Sequence, residues 1–196
     1  MSWRSTAGDR PDEHGTLVGE SSALVFYGDV AGDLFELGPD PEQALRDAHV
    51  RLRGRGTLGV CAAALALREG RVAFAWVGDC RVYRVRDGRA ERLSRDQTLA
   101  EQLGAEGFSA SGPLATAPLQ RLGLRDALIV ATGEEDLRVG DRLALATVGV
   151  WRDRTEVSVL EALCTPDRER STATLVNGPS GLESSVVIVD VVGPPG

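Results

Sequence analysis

At 196 residues, 42% of them hydrophobic, the chain is long enough to bury a sizeable core in one globular unit. Its formal net charge of -7 argues against nucleic acid or an anionic membrane surface as partner, because phosphate-rich surfaces attract basic patches. No run reaches the apolar length of a membrane span, and residues 1–9 lack the charged-then-apolar order of a secretory leader, so the expected location is the cytoplasm.

Residues 1–15 and 193–196 are polar or rich in Pro and Gly and are expected to fray. Ser22–Tyr27 is a short apolar run closed by Gly28-Asp29, which suits a core strand ending in a loop. Asp40-Pro41-Glu42 supplies a helix start: a carboxylate to accept from the first amides, a proline whose φ suits the first turn, and an acid at the positive end of the dipole. Ala44, Leu45, Ala48 and Leu52 then share one face, so the spacing predicts a helix over 41–52. Residues 57–67 are apolar almost throughout and read as a strand buried on both faces, closed by a Glu69-Gly70 hairpin to a second strand.

Residues 72–93 are the most informative stretch. Val72, Phe74 and Trp76 alternate before Gly78-Asp79, polar and apolar side chains alternate after it, and Asp87-Gly88 turns the chain back. The pattern predicts a meander with Gly78-Asp79 and Asp87-Gly88 as its two turns. Ser94 with Gln97 three residues on has capping-box spacing and predicts a helix through Leu103. Residues 104–118 are rich in Gly, Ala, Ser and Pro without a period and read as a surface loop or flap. A strand is expected over 141–147 and a helix over 155–164, with Val157, Leu160 and Leu163 on its apolar side. A further helix starts after Thr165-Pro166 and stops at Asn177-Gly178, and a closing strand covers 185–192. Hairpins interrupted by helices fit an α+β fold of two packed antiparallel sheets flanked by helices, within one domain over 1–196. Cys61, Cys80 and Cys164 are widely spaced without a C-x-x-C or a histidine pair nearby, so buried thiols are expected rather than disulfides or a zinc site.

Four segments carry a family resemblance. They are Gly78-Asp79-Cys80-Arg81, Leu93-Ser94-Arg95-Asp96, the run from Ala117 to Leu124 (APLQRLGL), and Leu137-Arg138-Val139-Gly140-Asp141-Arg142-Leu143. In kind and order they resemble the metal-dependent PPM/PP2C serine/threonine phosphatases, over roughly residues 17–192. The resemblance implies a PP2C-like layered sandwich. It also implies two Mn²⁺ or Mg²⁺ ions that activate a bridging water for attack on a phosphoserine or phosphothreonine. Hard cations take oxygen ligands, mostly carboxylates, and a metal pair both generates the nucleophile and neutralises the phosphoryl oxygens. The family draws its aspartates from a D-G-x-G-G loop, an S-D-G turn and a D-N-x-T segment.

This chain departs from all three motifs. Thr147-Val148-Gly149 stands where S-D-G is expected, and valine cannot ligate a metal. Leu182 and Glu183 stand at the D-N pair, and Gly28-Asp29-Val30-Ala31-Gly32 exchanges the Asp and Gly of the first motif. A one-residue slip in a strand turns a side chain to the other face. Asp79 is the one carboxylate in its family position, where the resemblance implies a weaker, additional metal site; the plainer role is to stabilise its own turn. Arg10 matches the family's phosphate-binding arginine weakly, and His14 and His49 are unpaired in sequence, with a structural histidine expected at His49. Asp29, Asp79 and Glu183 are therefore vestigial metal candidates, with no catalytic residue and no cofactor expected.

The favoured expectation is a catalytically impaired, regulatory PP2C-like domain that binds a protein partner, and the resemblance implies a bacterial signalling protein such as a serine/threonine kinase. Phe108, Leu114 and Leu119 mark residues 104–124 as an expected part of the partner-binding surface. Two alternatives stand beside it: an active phosphatase with a remodelled Mn²⁺ or Mg²⁺ site around Asp29, Asp79 and Glu183, and a phosphopeptide or small-ligand binder that uses Arg10 or Arg81 without turnover.

Overall fold

Apolar alternation along the strands produces two five-stranded antiparallel sheets, each with one face turned to the other sheet. The structure, a computed structural model, describes residues 2–9, 14–28, 35–56, 58–177 and 184–193, with 2–9 and 14 described through their backbone. The first sheet has the order β1 (Ser2–Asp9), β10 (Ser185–Val192), β9 (Arg142–Ala146), β6 (Arg81–Arg86), β7 (Arg89–Arg92). The second has β2 (His14–Val18), β3 (Ser22–Tyr27), β4 (Cys61–Arg68), β5 (Arg71–Val77), β8 (Ala131–Asp136). Among the described residues the helices are α1 (Pro41–Leu52), α2 (Leu99–Ala105), α3 (Pro113–Thr116), α4 (Val148–Trp151), α5 (Glu156–Leu163) and α6 (Arg168–Val176). None of them is long and apolar enough to cross a membrane.

Val25, Leu65, Phe74 and Trp76 from the second sheet meet Val82, Leu143, Leu145, Val187 and Val189 from the first in the central core. On the outer face of the second sheet, Leu24, Ala62, Ala64 and Ala75 pack under Leu45, Ala48 and Leu52 of α1. On the outer face of the first, Tyr83, Ala144, Val186 and Ile188 pack under Val150, Val159, Leu163 and Leu175 of α4 to α6. Alternate residues of β4 therefore face different apolar layers, which is why its sequence is apolar on both faces. Removing one of these side chains, as in Leu65→Ala, costs about 2–5 kcal/mol. The α+β sandwich expected from the sequence is the architecture observed.

The local chemistry of α1 is as read: Asp40 Oδ1 accepts from the Gln43 amide at 3.1 Å. The Glu69-Gly70 turn joins paired Arg68 and Arg71, and Asp87-Gly88, both with positive φ, joins paired Arg86 and Arg89. The meander, however, does not form. At Gly78-Asp79-Cys80 the chain leaves the second sheet, where Val77 pairs with Ala62, and enters the first, where Arg81 pairs with Ala146. The predicted helix start is also displaced. Thr98, not Ser94, caps α2 by accepting from the Glu101 amide, while the Ser94 hydroxyl accepts from the amide of Val82.

Two further expectations change. The segment expected to fray includes β1 and the first two residues of β2, with β1 paired along β10 from Ser2–Val192 to Asp9–Ser185. Val157 lies 62% exposed on α5, whose buried residues are Val159, Ala162 and Leu163. Cys61 and Cys80 are buried as expected, whereas Cys164 is partly exposed, with its Sγ 3.3 Å from the Gly88 carbonyl.

Candidate functional site

The crossover Gly78-Asp79-Cys80 lies at the seam between the sheets, and its backbone requires glycine. Gly78 has a φ of +85°, and a β-carbon there would come within 2.3 Å of Cys61 Sγ. Gln97 clamps the turn from both sides: its Oε1 accepts from the Gly78 amide at 2.7 Å and its own amide donates to the Gly78 carbonyl at 2.8 Å. The side chain that follows the turn, Asp79, is fully buried.

Both Asp79 oxygens are engaged within the protein. The Tyr27 hydroxyl donates to Oδ1, and Arg152 Nη2 lies 3.5 Å from Oδ2. Burial pushes the Asp79 carboxyl above the usual carboxylate range; Tyr27 pulls against it, the charge of Asp96 adds to the rise, and Arg152 opposes it. Burial also pushes the Tyr27 hydroxyl far up, with Cys61 and Asp79 adding to the effect, so it remains a donor. The Cys61 thiol is pushed up to about 12 by burial and then by Asp79, and Cys80 is driven up by burial first. Neither is a thiolate nucleophile at neutral pH.

Beside this seam Arg81 makes a planar fork onto Asp96, with Nε–Oδ1 at 3.0 Å and Nη2–Oδ2 at 2.7 Å. Its Nη1 donates to Glu156 Oε2 at 2.8 Å, and its Cζ sits 3.5 Å from the centroid of the Trp151 ring. Arg81, which the ligand-binding alternative would use, is thus engaged by internal partners. A cleft of 620 Å³ opens alongside, lined by Arg92, Arg95, Glu101, Thr116 and Trp151 among others. Arg92 in turn pairs with Glu101 and Asp96.

The Thr147-Val148-Gly149 segment sits where β9 passes into α4. Thr147 is fully buried and exchanges hydrogen bonds with Ser185 at the start of β10. Val148 is only 6% exposed and opens α4, the turn that carries Trp151 and leads to Arg152. Among the described residues no three His, Cys, Asp or Glu side chains converge as a metal cage would require. Within the described part of the seam, the motif carboxylate Asp79 is engaged by a hydroxyl and a guanidinium, and the neighbouring motif position, Val148, is apolar.

Asp29, Glu183, Leu182 and Arg10 lie outside the described residues, as does the side chain of His14. His49 Nδ1 accepts from the Gly123 amide at 3.0 Å, and burial followed by the charge of Arg53 holds its pKa below the ordinary value. It is a neutral structural acceptor. Sequence reasoning found Asp79 but missed Tyr27 and Arg152, which lie 52 and 73 residues away along the chain and belong to no local motif.

No family model matches the chain. It is 28% identical over 199 residues to the serine/threonine protein phosphatase PstP of Mycobacterium tuberculosis, an alignment covering 94% of this chain and 35% of PstP. The chain thus spans about a third of the length of that relative. The crystal structure of M. tuberculosis PstP/Ppp superposes with a TM-score of 0.84 at 20% identity, covering 98% of this chain and 100% of that one. The catalytic domain of PstP in complex with two manganese ions gives 0.77 at 22% identity, covering 97% and 99%. The PPM phosphatase MsPP of Mycobacterium smegmatis in complex with cacodylate gives 0.79 at 21% identity, covering 98% and 99%. Two antiparallel sheets with flanking helices are the fold of these PPM/PP2C-type phosphatases.

Proposed function

We propose that this PP2C-type domain is a catalytically impaired, protein-binding regulatory module of cytoplasmic phospho-signalling rather than a phosphatase with turnover. The observation that carries the reading is Val148, buried at the first position of α4 where the S-D-G motif would place an aspartate. Placing two cations against one occupied carboxylate would leave their dehydration uncompensated. A fold shared with active enzymes does not itself confer activity.

The partner in this proposal is a signalling protein, a serine/threonine kinase first among them. Support comes from the flap, where Leu114 is 85% and Phe108 63% exposed on a short, glycine-flanked segment, with Ile129 also exposed nearby in the chain. A few apolar anchors of this kind usually dominate an interface.

The test is hydrolysis of p-nitrophenyl phosphate and of a phosphothreonine peptide in the presence of Mn²⁺ or Mg²⁺. No metal-stimulated turnover is expected. Turnover that needs Mn²⁺ and disappears in Asp79→Ala would overturn the proposal in favour of an active site built around Asp29, Asp79 and Glu183.

A further inference from the structure

We propose that the Arg152 guanidinium is the built-in counter-ion of Asp79, standing where an inorganic cation would otherwise sit, and that it bars divalent cations from that carboxylate. The inference deepens the impaired-phosphatase reading and rests on it for the want of a full ligand set.

Asp79 is fully buried between the sheets, and a buried carboxylate persists only with hydrogen bonds and an opposing charge. Tyr27 supplies the first at Oδ1 and Arg152 the second, 3.5 Å from Oδ2. The other nearby charges do not compete for the role. Arg81 is bound to Asp96 and Glu156, and Asp96 is itself an anion that repels Asp79.

The segment that lacks the motif carboxylate also delivers the cation. Thr147 is tied to Ser185, Val148 is buried, Val150 packs in the outer layer, Trp151 is stacked on Arg81, and the Arg152 amide closes α4 on the Val148 carbonyl. Arg152 therefore leaves a fixed turn and reaches Asp79 with a side chain that is still 37% exposed to solvent. A divalent cation approaching Asp79 would meet a positive charge and a carboxylate with both oxygens engaged. At one carboxylate such an ion keeps most of its hydration water, so the seat vacated by Arg152 would hold Mn²⁺ only weakly.

Thermal melting of the full chain with and without MnCl2 tests this in the wild type, Arg152→Ala, Arg152→Lys and the double variant Asp79→Asn/Arg152→Ala. Arg152→Ala leaves a buried charge unpaired and should melt about 4–8 °C lower, with MnCl2 recovering part of the loss. Arg152→Lys should melt near the wild type. The double variant should also melt near the wild type and ignore MnCl2. If Arg152→Ala does not fold at all, a double variant that folds still supports the proposal, and one that fails equally overturns it. A wild type stabilised by MnCl2 as much as Arg152→Ala, or an Arg152→Ala that melts like the wild type, also overturns it. Phosphate ester hydrolysis in the same samples reads the impaired-phosphatase proposal separately: turnover by the wild type sinks that reading, and the melting curves alone decide the counter-ion.

Discussion

Thr147 and Ser185 hold each other across the ends of β9 and β10: the Thr147 amide donates to the Ser185 carbonyl at 3.0 Å, and the Ser185 amide donates to the Thr147 hydroxyl at 2.9 Å. The motifs expected from the sequence would put aspartates at these two segments. Here the described strand ends satisfy one another's polar groups. What the two strand ends bring together is a packed corner.

Val148→Asp places an unpaired carboxylate in that corner. The expected outcome is a loss of about 1–3 kcal/mol in urea unfolding at neutral pH. An unchanged unfolding midpoint would show that the position is solvated, and would restore the ligand-binding reading.

Gly78→Ala meets two penalties, a positive φ and a contact with Cys61 Sγ. Together they should cost about 2–4 kcal/mol. Adding Cys61→Ala removes the Sγ contact but leaves the Cys61 β-carbon at 2.9 Å and the dihedral unchanged, so the double variant should recover only part of the loss. Full recovery would show that backbone strain contributes nothing at the crossover.

Asp141 gives the protein an acid-sensitive brace. Burial would raise its carboxyl, but the fork from Arg86 Nε and Nη2 and the Arg138 amide outweigh burial and hold it below the ordinary value of 3.8. A depressed folded pKa stabilises above the unfolded value, and that contribution is lost as pH falls through the folded one. Wild type should therefore exceed Asp141→Asn in stability by a constant margin from pH 8 to about 5, narrowing below about 4. A margin that stays the same at pH 3 would refute the charged brace.

Phe108→Ser with Leu114→Ser changes exposed side chains and should leave the urea midpoint within about 0.5 kcal/mol of the wild type. Binding of a serine/threonine kinase domain from the same cell, read by surface plasmon resonance, should weaken at least tenfold if the flap is the interface. Undiminished binding would move the contact away from 104–118.

Elements whose cause is local were legible in the sequence. The start of α1 rests on Asp40 and Pro41, and the hairpins at Glu69-Gly70 and Asp87-Gly88 rest on residues that tolerate positive φ. Gly78-Asp79 gives the same local signal, but a glycine turn does not say whether the next strand returns to its neighbour or crosses to another sheet. Ser94 and Gln97 have the spacing of a capping box and are recruited elsewhere, by Val82 and by Gly78. The acidic strand β8 went unread because it has no apolar run of its own and exists by pairing with β5. At the site, Asp79 was visible through its motif, whereas Tyr27 and Arg152 meet it only once both sheets are assembled.

The strand order has a consequence in time. Four strands of the second sheet lie between residues 14 and 77, so that sheet can begin to form before the rest of the domain is made. The first sheet starts only as the local β6–β7 hairpin: β6 then waits for β9, and β1 waits for β10 at residues 185–192. Until then the inner face carrying Val25, Leu65 and Phe74 has no second layer over it. Such non-local pairing slows folding and prolongs the exposure of a sticky surface. Substitutions in β10 will thus reduce the yield of folded protein more sharply than the stability of the molecules that do fold.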